Sequence, residues 1–234
     1  MRIRAKGQYF MDKGRLIVLE GLDGCGKSTQ LSLLAEHFSQ RGTYFRSVSF
    51  PNYDSESGRI IADYLAGKIP CEGRNGAYAA SAFYAADRYI SYATDWRADY
   101  EKGALIVCGR YTTSNAVFQM TKLPAEERGS FLKWLADYEY GLLGLPRPDA
   151  VLFLDMPAEV SEGLLSARYG GEERKKDIHE QSTQFQRSCR ESALFAAQEC
   201  GWLVIPCAEN GAALSIEEVH ARILAALGEV SCDG

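Results

Sequence analysis

The chain has 234 residues, 46% of them apolar and 24% charged, with 26 basic against 31 acidic side chains for a net charge of −5. That balance is ordinary for a globular protein and excludes wholesale disorder; no apolar run approaches the ~18 residues a membrane span needs, and an acidic sum makes a poor general binder of duplex phosphate, so neither membrane nor nucleic acid is expected as a partner. The seven cysteines, at 25, 71, 108, 189, 200, 207 and 232, include no C-x-x-C pair, which reads as reduced, mostly buried thiols in a cytoplasmic protein rather than a disulfide framework or zinc site.

Taken in chain order, residues 1–14 are basic but lack the 7-residue apolar core of a signal peptide. They read as an N-terminal extension, with Met11 an alternative start. Five short apolar runs then follow at 15–20 (RLIVLE), 43–50, 105–108, 150–155 (AVLFLD) and 202–207 (WLVIPC). Unbroken apolar runs are what parallel strands buried on both faces look like. Helices are predicted between and after them at 27–41, 58–66, 77–101, 125–143, 157–168, 177–200 and 215–227. Strand–helix alternation implies crossovers and a doubly wound α/β sheet. At ~150 residues per domain, and with no linker or repeat to divide it, 15–229 is expected to be one domain, followed by a tail at 230–234. One segment, 169–176 (YGGEERKK), resists both helix and strand, and reads as a mobile loop between two helices.

The strongest chemical signal is 21–28, Gly-Leu-Asp-Gly-Cys-Gly-Lys-Ser. It fits G-x-x-x-x-G-K-[ST] at every fixed position, after a strand and at the head of a helix, which is the context that motif requires. Glycines let backbone N–H groups curl around anionic oxygens, and the helix N-terminus adds its dipole. Gly21, Asp23, Gly24, Gly26, Lys27, Ser28 and Thr29 are therefore the candidate cradle for the phosphates of a nucleoside triphosphate. Lys27 can reach the β- and γ-phosphates and the Ser28 hydroxyl can ligate Mg²⁺, with Asp23 a second candidate near the metal. No N-K-x-D guanine-reading motif occurs, so a GTPase is not expected. Asp155 reads equally as a strand-end acid of the Walker-B kind or as a helix-capping carboxylate before Pro157.

Four further segments fall where an α/β sheet presents its ligand edge, or on a helix leading to it: Phe50-Pro-Asn-Tyr53, Phe83-Tyr-Ala-Ala-Asp-Arg88, Gly109-Arg-Tyr-Thr-Thr-Ser-Asn115 and Leu145-Pro-Arg-Pro-Asp149. Taken singly, each has a plainer structural explanation; a Tyr–Arg pair four apart on a helix is more often a core edge. Together with LEGLDGCGKST, in this order and spacing from about Arg15 to Leu227, they make the chain resemble the thymidylate kinase family of P-loop nucleoside monophosphate kinases.

The resemblance implies a P-loop NTPase fold with a five-stranded parallel sheet, helices around it and a lid at about 168–180. It implies phosphoryl transfer from ATP, with Mg²⁺, to dTMP, giving dTDP and ADP for dTTP supply. It implies that Tyr84 stacks on the thymine, that Arg88 hydrogen-bonds its O4, and that Asn115 with Ser114 meets the other edge. Phe118 would pack against the sugar, Arg110 would grip the acceptor phosphate with Tyr53 helping, and Phe50, Asp23 and Glu180 would complete that site. A homodimer follows by family analogy.

Two departures accompany the resemblance. Gly109 stands where the family usually has Asp, leaving Asp23, Glu20 or Asp155 to compensate, and His179 stands where relatives often carry Tyr. The family also places an extra cation in the P-loop or in the lid; Leu22, Asp23, Gly24 and Cys25 supply none, so the lid must, with Arg174 first and Arg168 second, Lys175 and Lys176 being the other cations there. The competing readings are a kinase for another pyrimidine nucleotide or a deoxynucleoside, and a nucleotide-binding module whose catalysis has decayed.

Overall fold

The three most apolar runs lie in the middle of the molecule, because side chains pointing to both sides of them must be covered. The computed structural model describes residues 13–169 and 183–228, with 165–169 described by backbone alone. In it β1 (Arg15–Gly21) lies between β3 (Leu105–Gly109) and β4 (Ala150–Asp155), with β2 (Phe45–Ser49) and β5 (Leu203–Pro206) outermost. The sheet is wholly parallel, in the order β2-β3-β1-β4-β5. Period-two alternation within β1 sends Ile17 and Leu19 to one face, against Leu34 and Phe38 of α1 (Lys27–Gln40) and Val219 and Ile223 of α9 (Ile216–Ala226). Leu16 and Val18 go to the other face, with Ile106, Cys108, Trp96 and Tyr111. Burying one such aliphatic side chain contributes roughly 1.5–3 kcal/mol.

The expectation of full burial holds for β1, β3 and β4 but not for the margins. Leu203 and Val204 of β5 remain exposed, and β2 turns Arg46 outward to pair with Asp95 and Asp99. An outermost strand has a neighbour on one side only, so both of its faces are covered less completely.

The helices differ from the sequence expectation mainly at their ends. The helix predicted at 58–66 is α2 (Glu56–Leu65), started two residues earlier by Ser55, whose hydroxyl accepts the Gly58 N–H. The segment predicted as one helix at 77–101 begins at Gly73 as α3 (Gly73–Ser91), passes through a π-helical turn (Tyr92–Trp96) and ends as α4 (Arg97–Glu101). That wider turn places Trp96, fully buried, between Tyr92 and Tyr100. The helix predicted at 125–143 is likewise a 3₁₀ turn, then α6 (Arg128–Ala136), then a π-helical turn (Asp137–Leu142). The first widened turn holds neither glycine nor proline, and the second holds one glycine, Gly141. A short α5 (Thr113–Phe118) occupies what reads in sequence only as a turn, and a small hairpin of β6 (Ala208–Glu209) and β7 (Ala212–Ala213) precedes α9. Between β4 and β5 lie α7 (Ala158–Tyr169) and α8 (Thr183–Cys200); the residues predicted as lid, and the start of the helix predicted at 177, lie outside the described residues.

This strand order brings the ends of β1, β3 and β2 side by side. Leu19 is in register with Gly109, and Ser49 with Gly109 on its other side. The loop after β1 and the loop after β3 therefore open at the same edge, on either side of a crossover, where open α/β sheets bind ligands.

Candidate active site

The loop from β1 into α1 turns on Gly24 and Gly26, both in the left-handed region (φ +78° and +87°), a conformation that side chains with a Cβ rarely adopt. Gly26 is the N-cap of α1, so the first free N–H groups of the helix face the bowl of the loop. Asp23, Gly24, Gly26, Lys27, Ser28 and Thr29 all line one cavity, as the sequence indicates. Gly21 does not; it ends β1, packed against Leu154 and Cys25, and its carbonyl accepts a hydrogen bond from Lys27 Nζ at 2.8 Å. Lys27 also donates to the Leu22 carbonyl at 2.6 Å. The ammonium is thus folded onto its own loop, where carbonyl dipoles satisfy it.

A second cavity adjoins the first. Every described residue assigned by resemblance to the acceptor lines it: Asp23, Phe50, Tyr53, Tyr84, Arg88, Arg110, Ser114, Asn115 and Phe118. Glu180, Arg168 and Arg174 lie outside the described side chains. Asp23, Phe50 and Arg110 belong to both cavities, so the two form one continuous cleft.

Arg110 is the hinge of this arrangement. It is a non-glycine residue at φ +62°, a conformation that costs about 1–3 kcal/mol and concentrates at functional sites. Its guanidinium pairs with Asp23, lies 3.7 Å from Glu20 and sits over the Phe118 ring, 4.7 Å from the centroid. Burial disfavours the charge, but Asp23 and Glu20 outweigh it and hold the group firmly protonated. Glu20, itself fully buried, accepts from the Gly21 N–H and from the hydroxyls of Thr113 and Ser114. Of the three acids that could compensate for Gly109, Asp23 and Glu20 face Arg110. Asp155 does not: both of its oxygens are held by Arg190, at 2.6 and 2.8 Å, and it lines neither cavity. A Cβ at Gly109 would stand 2.5 Å from Leu31 Cδ1, the far end of a partly exposed side chain that would have to shift to admit it.

Arg88 and Asn115 are almost wholly buried, and reach the second cavity from beneath. Burial works against the Arg88 charge, but the carboxylate of Glu139 more than offsets it and raises the pKa. Tyr84 is pushed well above the ordinary phenol range by burial, so it faces the cavity as a neutral ring.

Two acids behind the cavity are not singled out by the motifs. Asp87, buried beside Arg88, accepts from the Asn52 N–H and from the hydroxyls of Ser55 and Ser57. It ties the Phe50–Tyr53 turn and the start of α2 to α3. Its place inside the FYAADR segment is a signal that could have found it. Glu139 carries no such signal, lying between two tyrosines in a stretch predicted as plain helix. Pro51, Leu65 and Gln119 also line the second cavity, and Leu31, Ser49 and Leu164 the first, without being expected from the sequence.

For Mg²⁺ the donor set fits. Among the described residues no cluster of three histidines, cysteines or carboxylates exists, whereas Ser28 offers an exposed hydroxyl and Asp23 a carboxylate at the mouth of the loop. Mg²⁺ typically takes one or two hard oxygen ligands from protein and the rest from phosphate and water.

A phosphate cradle joined through one arginine to a second, aromatic-lined cavity defines a P-loop phosphotransferase with two anionic substrates. The thymidylate kinase family model matches residues 19–223. A probable thymidylate kinase of Pyrococcus abyssi is 33% identical over 91% of this chain and 95% of its own, and the thymidylate kinase of Danio rerio is 30% identical over 90% and 88%. The solved thymidylate kinase of Candida albicans superposes with a TM-score of 0.69 at 21% identity, covering 93% of this chain and 92% of that one. The chain belongs to the thymidylate kinase family.

Proposed function

We propose that the continuous cleft is where this enzyme transfers the terminal phosphoryl group of ATP to dTMP, giving dTDP and ADP. The single observation that carries the assignment of roles is that Asp23, Phe50 and Arg110 line both cavities. Donor phosphates fill the bowl of the loop, met by its amides and by Lys27, which swings off the Gly21 and Leu22 carbonyls. When bound, Mg²⁺ on Ser28 neutralises charge between the transferred and leaving phosphates.

The acceptor phosphate is already a nucleophilic anion, so no general base is needed. What the protein must supply is alignment and relief of repulsion between two polyanions. Arg110 does this by exchanging Asp23 for the acceptor phosphate, with Tyr53 beside it. Tyr84 and Phe118 flank base and sugar, while Arg88, Ser114 and Asn115 face the base. Because positions 22–25 of the loop hold no cation, Arg174 completes the charge at the transferred group, with Arg168 second, while Glu180 belongs to the acceptor site.

We further infer that 15–229 works as one catalytic unit in the cytoplasm, and that it pairs with a second copy. Ile60 of α2 with Tyr89 and Ile90 of α3, all exposed, support the pairing. Among the described residues no helix is long and apolar enough to cross a membrane.

A coupled assay with ATP and a panel of nucleoside monophosphates tests the reading, with dTMP expected as preferred acceptor. Binding without turnover, or preference for another monophosphate, would overturn it. Arg174→Ala is expected to lower kcat by ~10³-fold, as loss of an arginine finger does, with little change in the KM for dTMP; an unchanged kcat removes Arg174 from the mechanism.

A further inference from the structure

Glu139 sits beneath the acceptor cavity, 0% exposed, in the π-helical turn Asp137–Leu142. Its Oε2 accepts from Arg88 Nε at 2.7 Å and Thr112 Oγ1 at 3.0 Å, and its Oε1 from Arg88 Nη2 at 2.7 Å and Asn115 Nδ2 at 3.1 Å. A carboxylate can only accept. It therefore dictates which way round its partners stand.

Asn115 must turn its amide nitrogen toward Glu139, and the second N–H of that nitrogen donates to the Ser81 carbonyl at 3.3 Å. With both N–H groups committed, the atom that Asn115 can offer the cavity is Oδ1, an acceptor. Arg88 gives Glu139 its Nε–H and one Nη2–H, and gives the Tyr111 carbonyl one Nη1–H at 3.2 Å. It retains two N–H donors and has no acceptor to offer. The cavity thus presents donors from Arg88 together with an acceptor from Asn115. A 4-oxo pyrimidine shows the complement, a carbonyl acceptor next to an N3–H donor. A 4-amino pyrimidine shows the reverse at both atoms.

We propose that Glu139 is the positioning residue that sets base discrimination in this enzyme, its buried carboxylate locking Arg88 and Asn115 into a pattern that takes 4-oxo and rejects 4-amino pyrimidine monophosphates. The inference rests on the second cavity being the acceptor site, as argued above. A glutamine at 139 has both a carbonyl and an N–H₂. Its N–H₂ can donate to Asn115 Oδ1, so the Asn115 amide can turn over and present its own N–H₂ to the base. The reversed pattern then becomes available.

The test is steady-state kinetics of wild type, Glu139→Gln and Asn115→Ala with ATP and dTMP, dUMP or dCMP. A site built to hydrogen-bond a substrate group rejects the wrong analogue by about 10⁴–10⁵. Glu139→Gln is expected to reduce the dTMP-over-dCMP ratio of kcat/KM by at least about 10-fold. Most of the change falls in the KM of the acceptor. The dTMP-over-dUMP ratio, which reports only the methyl group, and the KM for ATP are expected to stay within about twofold, since neither involves the carboxylate's partners.

Equal loss for all acceptors, or an unchanged dTMP-over-dCMP ratio, would overturn the proposal. If Glu139→Gln is unfolded at the assay temperature, Asn115→Ala decides. It leaves the Arg88–Glu139 pair intact yet removes the acceptor, so its dTMP-over-dCMP ratio must also fall. A wild type that phosphorylates no pyrimidine monophosphate refutes the acceptor site itself, and this inference with it. A wild type that prefers dTMP while both variants keep its discrimination refutes the role of Glu139 alone.

Discussion

Arg110 holds a left-handed backbone while its side chain is shared between Asp23 and Glu20, and those two facts pull stability in opposite directions. Replacing it by glycine relieves backbone strain of about 1–3 kcal/mol but adds about 0.4–1 kcal/mol of unfolded-state entropy and removes an ion pair. Glu20 remains satisfied by Gly21, Thr113 and Ser114. Urea unfolding of Arg110→Gly is therefore expected to give a stability within about 1 kcal/mol of wild type, while kcat/KM for dTMP falls by ~10²-fold or more, as when an electrostatic donor is removed. A large stability loss would show that the arginine is structural.

The neighbouring Gly109 makes a second case. A Cβ at Gly109 meets the movable end of Leu31, 2.5 Å from Cδ1, so Gly109→Ala is expected to destabilise at the low end of overpacking, by about 1 kcal/mol, as Leu31 shifts. Combining it with Leu31→Ala should show a favourable coupling of at least about 0.5 kcal/mol, measured by a double-mutant cycle. The glycine is legible in the sequence as a departure from the family; the leucine whose side chain meets that position is not, because it lies 78 positions away, on a different element.

At the scale of elements, what could be read in advance was whatever local chemistry dictates. The loop of 21–28 announces both its turn and its helix, and the apolar runs announce β1, β3 and β4. The two π-helical turns are poorly marked locally, by nothing in the first and by Gly141 alone in the second, and what they bury is Trp96 in one case and Glu139 in the other. The exposure of three of the four β5 residues is not readable locally either, since the number of neighbours of a strand is a property of sheet order.

α9 shows the opposite, a wholly local device. Ser215 accepts from the Glu218 N–H at 3.2 Å and Glu218 accepts from the Ser215 N–H at 2.8 Å, a reciprocal capping box. Ser215→Ala is expected to lower stability by about 1 kcal/mol. The hydrogen bonds from the Ser215 backbone and side chain hold the Glu218 carboxyl below its ordinary pKa. Its charged form therefore contributes stability that is present above the ordinary carboxylate range, and lost as pH falls through the lowered value. The stability gap between wild type and Glu218→Gln should persist at neutral pH and close in acid. A gap independent of pH would mean that the carboxylate charge contributes nothing to the cap.

At the scale of the whole molecule, the sheet order matters because it makes two cavities, proposed as the two phosphate sites, share one arginine. A ligand present at 100 times its Kd stabilises the folded state by about 2.7 kcal/mol, so two independent ligands would contribute about 5.4 kcal/mol together. Two polyanions meeting at one cleft are not independent, and without a cation between them each weakens the other. With Arg110 between them, dTMP and a non-hydrolysable ATP analogue with Mg²⁺ are expected to reach or exceed the additive sum in wild type. In Arg110→Gly, with each ligand again at 100 times its own Kd for that variant, the combined stabilisation should fall short of the sum by about 1–3 kcal/mol, the usual size of a coupling between sites. Calorimetric unfolding at the four ligand combinations measures this directly, and because each protein is compared with its own single-ligand values, a change in affinity for either substrate does not imitate the effect. The same shortfall in both proteins, or in neither, would mean that Arg110 serves one substrate and that the repulsion between them is relieved elsewhere.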